Sequence, residues 1–162
     1  MLWIKTEYRG MLAEIARGRG VTTKWFRGVI KETYDDILNF WHKKIRPKHF
    51  ERSAISDYAY TPRTKAYEQS KRKKLGTSRP LVYSGDSMRA TERSRITTTG
   101  RSGSLSMDAG NLGWPTPGGR INMRAELTAL NAKDRAAMTK VAEKSILKRL
   151  MHSSARFSQT IR

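Results

Sequence analysis

Phe26, Ile30, Tyr34, Ile37 and Trp41 recur at helical spacing, so the chain from Thr22 or Thr23 onward predicts a long helix with one buried stripe. A threonine suits that start, because its hydroxyl accepts from N–H groups that a first helical turn leaves unpaired. Pro47 is expected to end the element, since its ring disfavours helical backbone in the residue before it. Upstream, Leu2, Ile4, Tyr8, Leu12 and Ile15 give residues 2 to 17 the spacing of a short amphipathic helix, stopped by Arg17-Gly18-Arg19-Gly20. Downstream, a second helical stretch is expected near 48 to 57. Thr61 and Pro62 then read as N-cap and first position of another helix. It carries Tyr67 on one face and Lys65, Lys71, Arg72, Lys73 and Lys74 elsewhere, with Gly76 as its stop.

Beyond residue 88 the period becomes two. Residues 90–99 are rich in β-favouring types, with both faces polar apart from Ile96. Leu105, Met107 and Ala109 share a face in 104–109, as do Ile121, Met123, Ala125 and Leu127 in 120–127. The three runs predict an antiparallel meander, apolar on one side and polar on the other. Residues 100–103 are short enough for a tight turn, and 110–119 form a longer Gly/Pro-rich loop around Trp114. Asn131 caps a final helix over 132–151, with Met138, Val141, Ala142, Ile146 and Leu150 on one side. Lys140, Lys144, Lys148 and Arg149 lie mostly opposite. The expected fold is α+β: N-terminal helices, a small antiparallel meander, and a C-terminal amphipathic helix packed on one sheet face. Residues 1–152 read as one domain, with 1–20 peripheral and 153–162 a tail.

Charge changes this picture more than any motif does. The 162 residues hold 33 Lys+Arg against 14 Asp+Glu, a formal +19, which favours anionic partners, nucleic acid first. An apolar share of 37% and a mean hydropathy of -0.69 predict a thin core, because burial must offset about 1–2 kcal/mol of backbone entropy per ordered residue. There is no cysteine, which removes thiol chemistry and disulfides and suits a reducing compartment. No apolar run of signal-peptide or membrane-span length is visible, so the protein is expected to be made and used without export.

Chemistry is sparse. His42, His49 and His152 lack metal-like spacing, and His42 and His49 flank Pro47 where a surface or capping role is the ordinary expectation. Asp35 and Asp36 are adjacent on a helix, so they diverge by about 100° and cannot act as a close acid/base pair. Residues 18–24 place glycines and a lysine near a helix start, for which a flexible joint followed by an N-cap is sufficient explanation. No phosphate loop, nucleophile elbow or dinucleotide fingerprint occurs, and no enzyme, cofactor, metal or small-molecule substrate is expected. The polar strand faces offer no aromatic ring for base stacking. Arg93, Arg95, Arg120 and Arg124, with Lys71, Lys73 and Lys74, are instead candidates to sit beside a phosphate backbone.

Residues 80–83 stand apart. Pro80 fixes φ and favours extended neighbours, so Leu81, Val82 and Tyr83 form a stiff apolar bracket. Ser84 then caps a short turn carrying Met88 back to the core. The bracket either closes the chain's own core or locks against a neighbouring copy. Trp114 is similarly a candidate interface anchor or a cover for the sheet edge.

Three features in order resemble the tail-completion and head–tail joining proteins of tailed bacteriophages, the group including minor tail protein Z and the virion morphogenesis proteins. An amphipathic helix precedes a Tyr-x-Pro-x-Thr segment and a Tyr-x-x-x-Lys helix, here Tyr60, Pro62, Thr64, Tyr67 and Lys71. A basic stretch leads to Gly76 and a Pro-Leu-x-x-Ser-Gly element at Pro80, Leu81, Ser84 and Gly85. A polar meander leads to a helix opened by Leu127, Asn131 and Asp134. The likeness spans roughly residues 25 to 150, and one departure is the late apolar Met88 after Ser-Gly. It implies a virion protein, assembled in the host cytoplasm as a ring on the order of six or twelve copies. Its partners would be other neck, tail and portal-associated proteins, with non-specific contact to double-stranded DNA and none to membrane. From another class, an RNA-binding or ribosome-associated basic protein would share the charge and the lack of a catalytic motif.

Overall fold

A computed structural model describes residues 2–6, 23–82, 84–108, 112 and 121–159. The elements run β1 (Leu2–Thr6), α1 (Thr23–Phe40), a π-helical turn (Trp41–Ile45), a 3-10 helix (Arg46–Phe50), α2 (Ala54–Asp57) and α3 (Lys65–Leu75). They continue with α4 (Asp86–Ala90), β2 (Ser94–Thr98), β3 (Gly103–Met107), α5 (Met123–Thr128) and α6 (Ala132–Gln159). The fold class is α+β, as the pattern of elements predicts.

The sheet has the order β1-β3-β2, with both pairings antiparallel. Strands β2 and β3 are the predicted hairpin, with β2 shortened at both ends and β3 starting and stopping earlier than the predicted run. Its turn is closed by Thr99, whose N–H donates to the Ser102 carbonyl and whose hydroxyl accepts from Arg101 N and Ser102 N. The third strand differs from expectation. Residues 123–128 are helical, because Asn122 accepts from Ala125 N as an N-cap and Met123 and Leu127 share a helix face as well as a strand face. Strand β1 takes the vacant edge, pairing Leu2 with Met107 and Thr6 with Gly103. Its residues were expected to start a helix, and the rest of that expected helix, 7–17, lies outside the described residues.

Helix α1 covers the strands directly, packing on β2 and β3. Its predicted stripe is buried: Ile37 and Trp41 join Leu105 and Met107 of β3 in the main core, and Ile30 and Tyr34 form a second cluster with Phe26 and Ile146 packed against it. Gly103 lets helix and hairpin meet, since a Cβ there would stand 2.8 Å from Tyr34 Cβ and 3.0 Å from Leu38 Cδ1. The Leu38 methyl is a side-chain end, but Tyr34 Cβ and Cγ (3.1 Å) are held close to the helix backbone and cannot swing aside. Gly103→Ala is therefore expected to lower stability by about 1–3 kcal/mol, read as a lower urea midpoint at unchanged slope. An unchanged midpoint would mean that helix and hairpin separate without cost.

Pro47 changes the winding of the helical path without ending it. Arg46 N–H donates to the Trp41 carbonyl in a π-type bond, and the chain then tightens into the 3-10 helix with Pro47 in its first turn. The change falls where Pro47 removes the donor that an α-helix would aim at the Lys43 carbonyl. It also brings Trp41, Ile45, Arg46, His49 and Phe50 inward together.

Helix α6 closes the same core through Met138 and Ala142, and its most extensive packing runs antiparallel along α1. Ser145 donates to Asp36 (2.7 Å), and Arg149 reaches Glu32 (2.5 Å) and Asp36 (2.9 Å). Asn131 caps it as predicted, accepting from Asp134 N at 2.8 Å. The helix continues to Gln159, so most of the predicted tail is helical.

Candidate nucleic-acid interface

Helix α3 is capped at both ends. Thr64 Oγ1, and not Thr61, accepts from Tyr67 N at 3.2 Å. Gly76 takes the left-handed conformation at φ 65 and returns its N–H to the Arg72 carbonyl, as a C-terminal glycine should. Between the caps Lys71 is the one buried residue. Its ammonium donates to the Arg79 carbonyl and lies 5.9 Å from the Tyr67 ring centroid, and burial lowers its pKa. Lys71 is therefore an internal strut, which corrects its assignment as a phosphate-facing group. The expected anion-facing Lys73 and Lys74 are exposed beside Arg72. Past the helix end, an open cleft of about 770 Å³ is lined by Glu51, Arg52, Gly76, Thr77, Arg79 and Val82.

The other candidate cations lie on separate elements. Arg93 and Arg95 are exposed, before and within β2, with Arg95 opposite Ser106. Arg124 is exposed on α5, a helix and not the expected strand. Arg120 lies outside the described residues. Among the described residues, Lys65, Arg72, Lys73, Lys74, Arg93, Arg95 and Arg124 take part in no ion pair. Of the acids, Asp134 holds Lys48, Glu126 holds Arg63 and Asp86 holds Arg89, while Glu68 lies on α3 itself, four residues before Arg72.

The bracket closes the chain's own core. Pro80 and Leu81 are buried, Val82 packs against the same cluster, and Met88 follows on α4. Leu81 sits at φ 56, a left-handed conformation that costs a non-glycine residue about 1–2 kcal/mol and that its burial offsets. Pro80 and Leu81 therefore offer no free apolar patch to a neighbour. Tyr83 and Trp114, the other candidate interface residues, lie outside the described residues.

A polar array around His49 has little signature in the sequence. His49, expected near the surface, is 0% exposed and stacks on Tyr58 at 3.9 Å. Its Nδ1 shares a 2.5 Å hydrogen bond with the Tyr60 hydroxyl. Tyr58 donates to Asp134 (2.6 Å), which also accepts from Lys48 (2.8 Å). Burial drives the His49 pKa down to about 4 and raises both tyrosines. Among the described residues no partner meets Nε2 with hydrogen-bonding geometry, although the Glu126 carbonyl beside it favours the charged form. Beside the array, Arg63 grips Glu126 through both nitrogens at 2.8 and 2.6 Å. The signals for this array in the sequence were Tyr60 of the Tyr-x-Pro-x-Thr segment and Asp134 of the stretch that opens the last helix. His49, Tyr58, Tyr60 and Asp134 face one another away from solvent, with Lys48 reaching in from the surface, and these groups tie the 3-10 helix, the segment before α3, α5 and α6 into one junction.

Among the described residues no group of three His, Asp or Glu could hold a metal, and no helix is long and apolar enough to cross a membrane. Compared with family models, curated proteins and solved structures, the chain matches none.

Proposed function

We propose that the chain is a structural subunit of a tailed-phage neck, assembling as a ring around the DNA channel at the head–tail junction or the head-proximal end of the tail. The observation that carries this reading is the ordered set of motif residues and the work those residues do in the fold. Thr64, Gly76 and Asn131 are helix caps; Tyr60, Leu81, Leu127 and Asp134 are buried at the junctions between elements. A pattern made of caps and junction residues specifies an architecture, as suits a protein whose role is to be built into one. The unpaired surface cations add a reason for DNA to be the neighbour, since a channel tolerates non-specific attraction but not sequence-specific grip.

Closed rings form from heterologous contacts whose rotation closes. Quantitative mass spectrometry on nuclease-treated, gradient-purified particles is therefore expected to find a small fixed number of copies, on the order of six or twelve. Absence from particles, with recovery in ribosomal or other RNA-containing fractions, would replace this reading with the RNA-binding one.

A further inference from the structure

Helix α3 has 11 residues and buries one lysine. A helix that is polar all round its circumference gains little from its own chain, and one so short is marginal in isolation. Two caps and the Lys71 strut hold it, and they set the direction in which its last turn points. That turn carries Arg72, Lys73 and Lys74, where the helix dipole favours cations. The positive surface continues across the cleft to Arg52 and Arg79, with Glu51 the one acid on its lining.

We propose that the C-terminal end of α3 and this cleft form a phosphate-backbone site for double-stranded DNA. The site rests on the neck reading for its biological setting, and its binding is measurable without it. On this assignment α3 meets the duplex, with the Arg93–Arg95 segment in a minor role. Three consecutive cations are spread by about 100° each around the axis, which suits phosphates on either side of the helix and not one row of base edges. Eleven residues extend about 16 Å, enough to bridge a major groove about 12 Å wide. An acidic protein surface is the weaker occupant, because stable protein interfaces centre on apolar anchors and α3 exposes only Tyr67, at 45%.

The test is fluorescence anisotropy of a short labelled DNA duplex with the purified full chain, across a salt series. Each lost phosphate contact flattens log K against log salt by about 0.9. Arg72→Gln with Lys73→Gln and Lys74→Gln is expected to flatten it by about 2 to 3 and to weaken low-salt binding at least about tenfold. Glutamine keeps helix propensity, so an unchanged circular dichroism spectrum is the accompanying expectation. Arg93→Gln with Arg95→Gln is expected to change the slope far less.

A triple variant with the parental slope overturns the site. So does a larger loss from the Arg93/Arg95 variant, or tighter binding of an RNA duplex than of DNA. A triple variant that binds DNA normally but no longer enters particles would assign α3 to a protein neighbour, overturning the proposal too. The expected slope change in a chain absent from particles would uphold the site and discard the neck.

Discussion

Arg63→Met is expected to destabilise the protein by about 3–5 kcal/mol, because it leaves a buried carboxylate without its counter-charge. Glu126 is 8% exposed, and both its oxygens accept from the Arg63 guanidinium. After the substitution the carboxylate keeps only the Thr61 N–H at 3.2 Å. The pair joins the segment before α3 to α5, so its loss loosens the approach to α3 and the floor of the His49 array together. A loss of that size is a large fraction of the roughly 5–15 kcal/mol by which domains are stable. Adding Glu126→Met is expected to recover much of it, since a buried pair replaced by packed apolar groups is often neutral. Urea unfolding of the two single variants and the double gives the coupling directly. A single-variant loss below about 1 kcal/mol would mean that Glu126 reaches solvent and the pair behaves as an exposed one.

Acid is expected to weaken the fold through His49. Its pKa is about 4 in the folded chain against 6.5 for the free side chain, with desolvation the leading cause. The unfolded chain therefore binds the proton more readily, and stability from this group is fully present above about pH 6.5. It falls as pH drops toward about 4, by a total on the order of 3 kcal/mol. Burial also lowers the pKa of His42, which meets the Thr91 carbonyl at 3.1 Å, so its contribution has the same sign. His49→Gln keeps a polar partner for Tyr60 and removes the titration. The variant is expected to show a flatter dependence of stability on pH between those limits, whatever its stability at neutral pH. A slope that persists in His49→Gln would assign the window to His42 or to carboxylates.

These two sites were the least visible in the chain's pattern. His49 sits two residues past a proline at a predicted helix end, where exposure is the ordinary outcome. Its burial depends on Tyr58, Tyr60 and Asp134, the last 85 positions away by subtraction. Lys71 lies in a run of cations and looks solvated like its neighbours. Only the return of the chain at Arg79 supplies the carbonyl that draws it in. Thr61 and Thr64 are both plausible caps, and Thr64 is the one used. The alternation in 120–127 fitted a strand, but Asn122 supplied a helix cap and β1 supplied the missing strand.

Sequence by itself determined what neighbours within about one helical turn decide: the α1 stripe, the Gly76 stop, the Asn131 cap and the β2–β3 hairpin. Each rests on periodicity or on one side chain reaching a backbone group a few residues away. Strand pairing, burial of charge and the choice of exposed cations belong to the tertiary structure, because each is set by residues distant in sequence. Pro80 and Leu81 were directed inward by packing, Lys71 was tied down by a carbonyl, and Arg72, Lys73 and Lys74 were left outside, with no ion pair among the described residues.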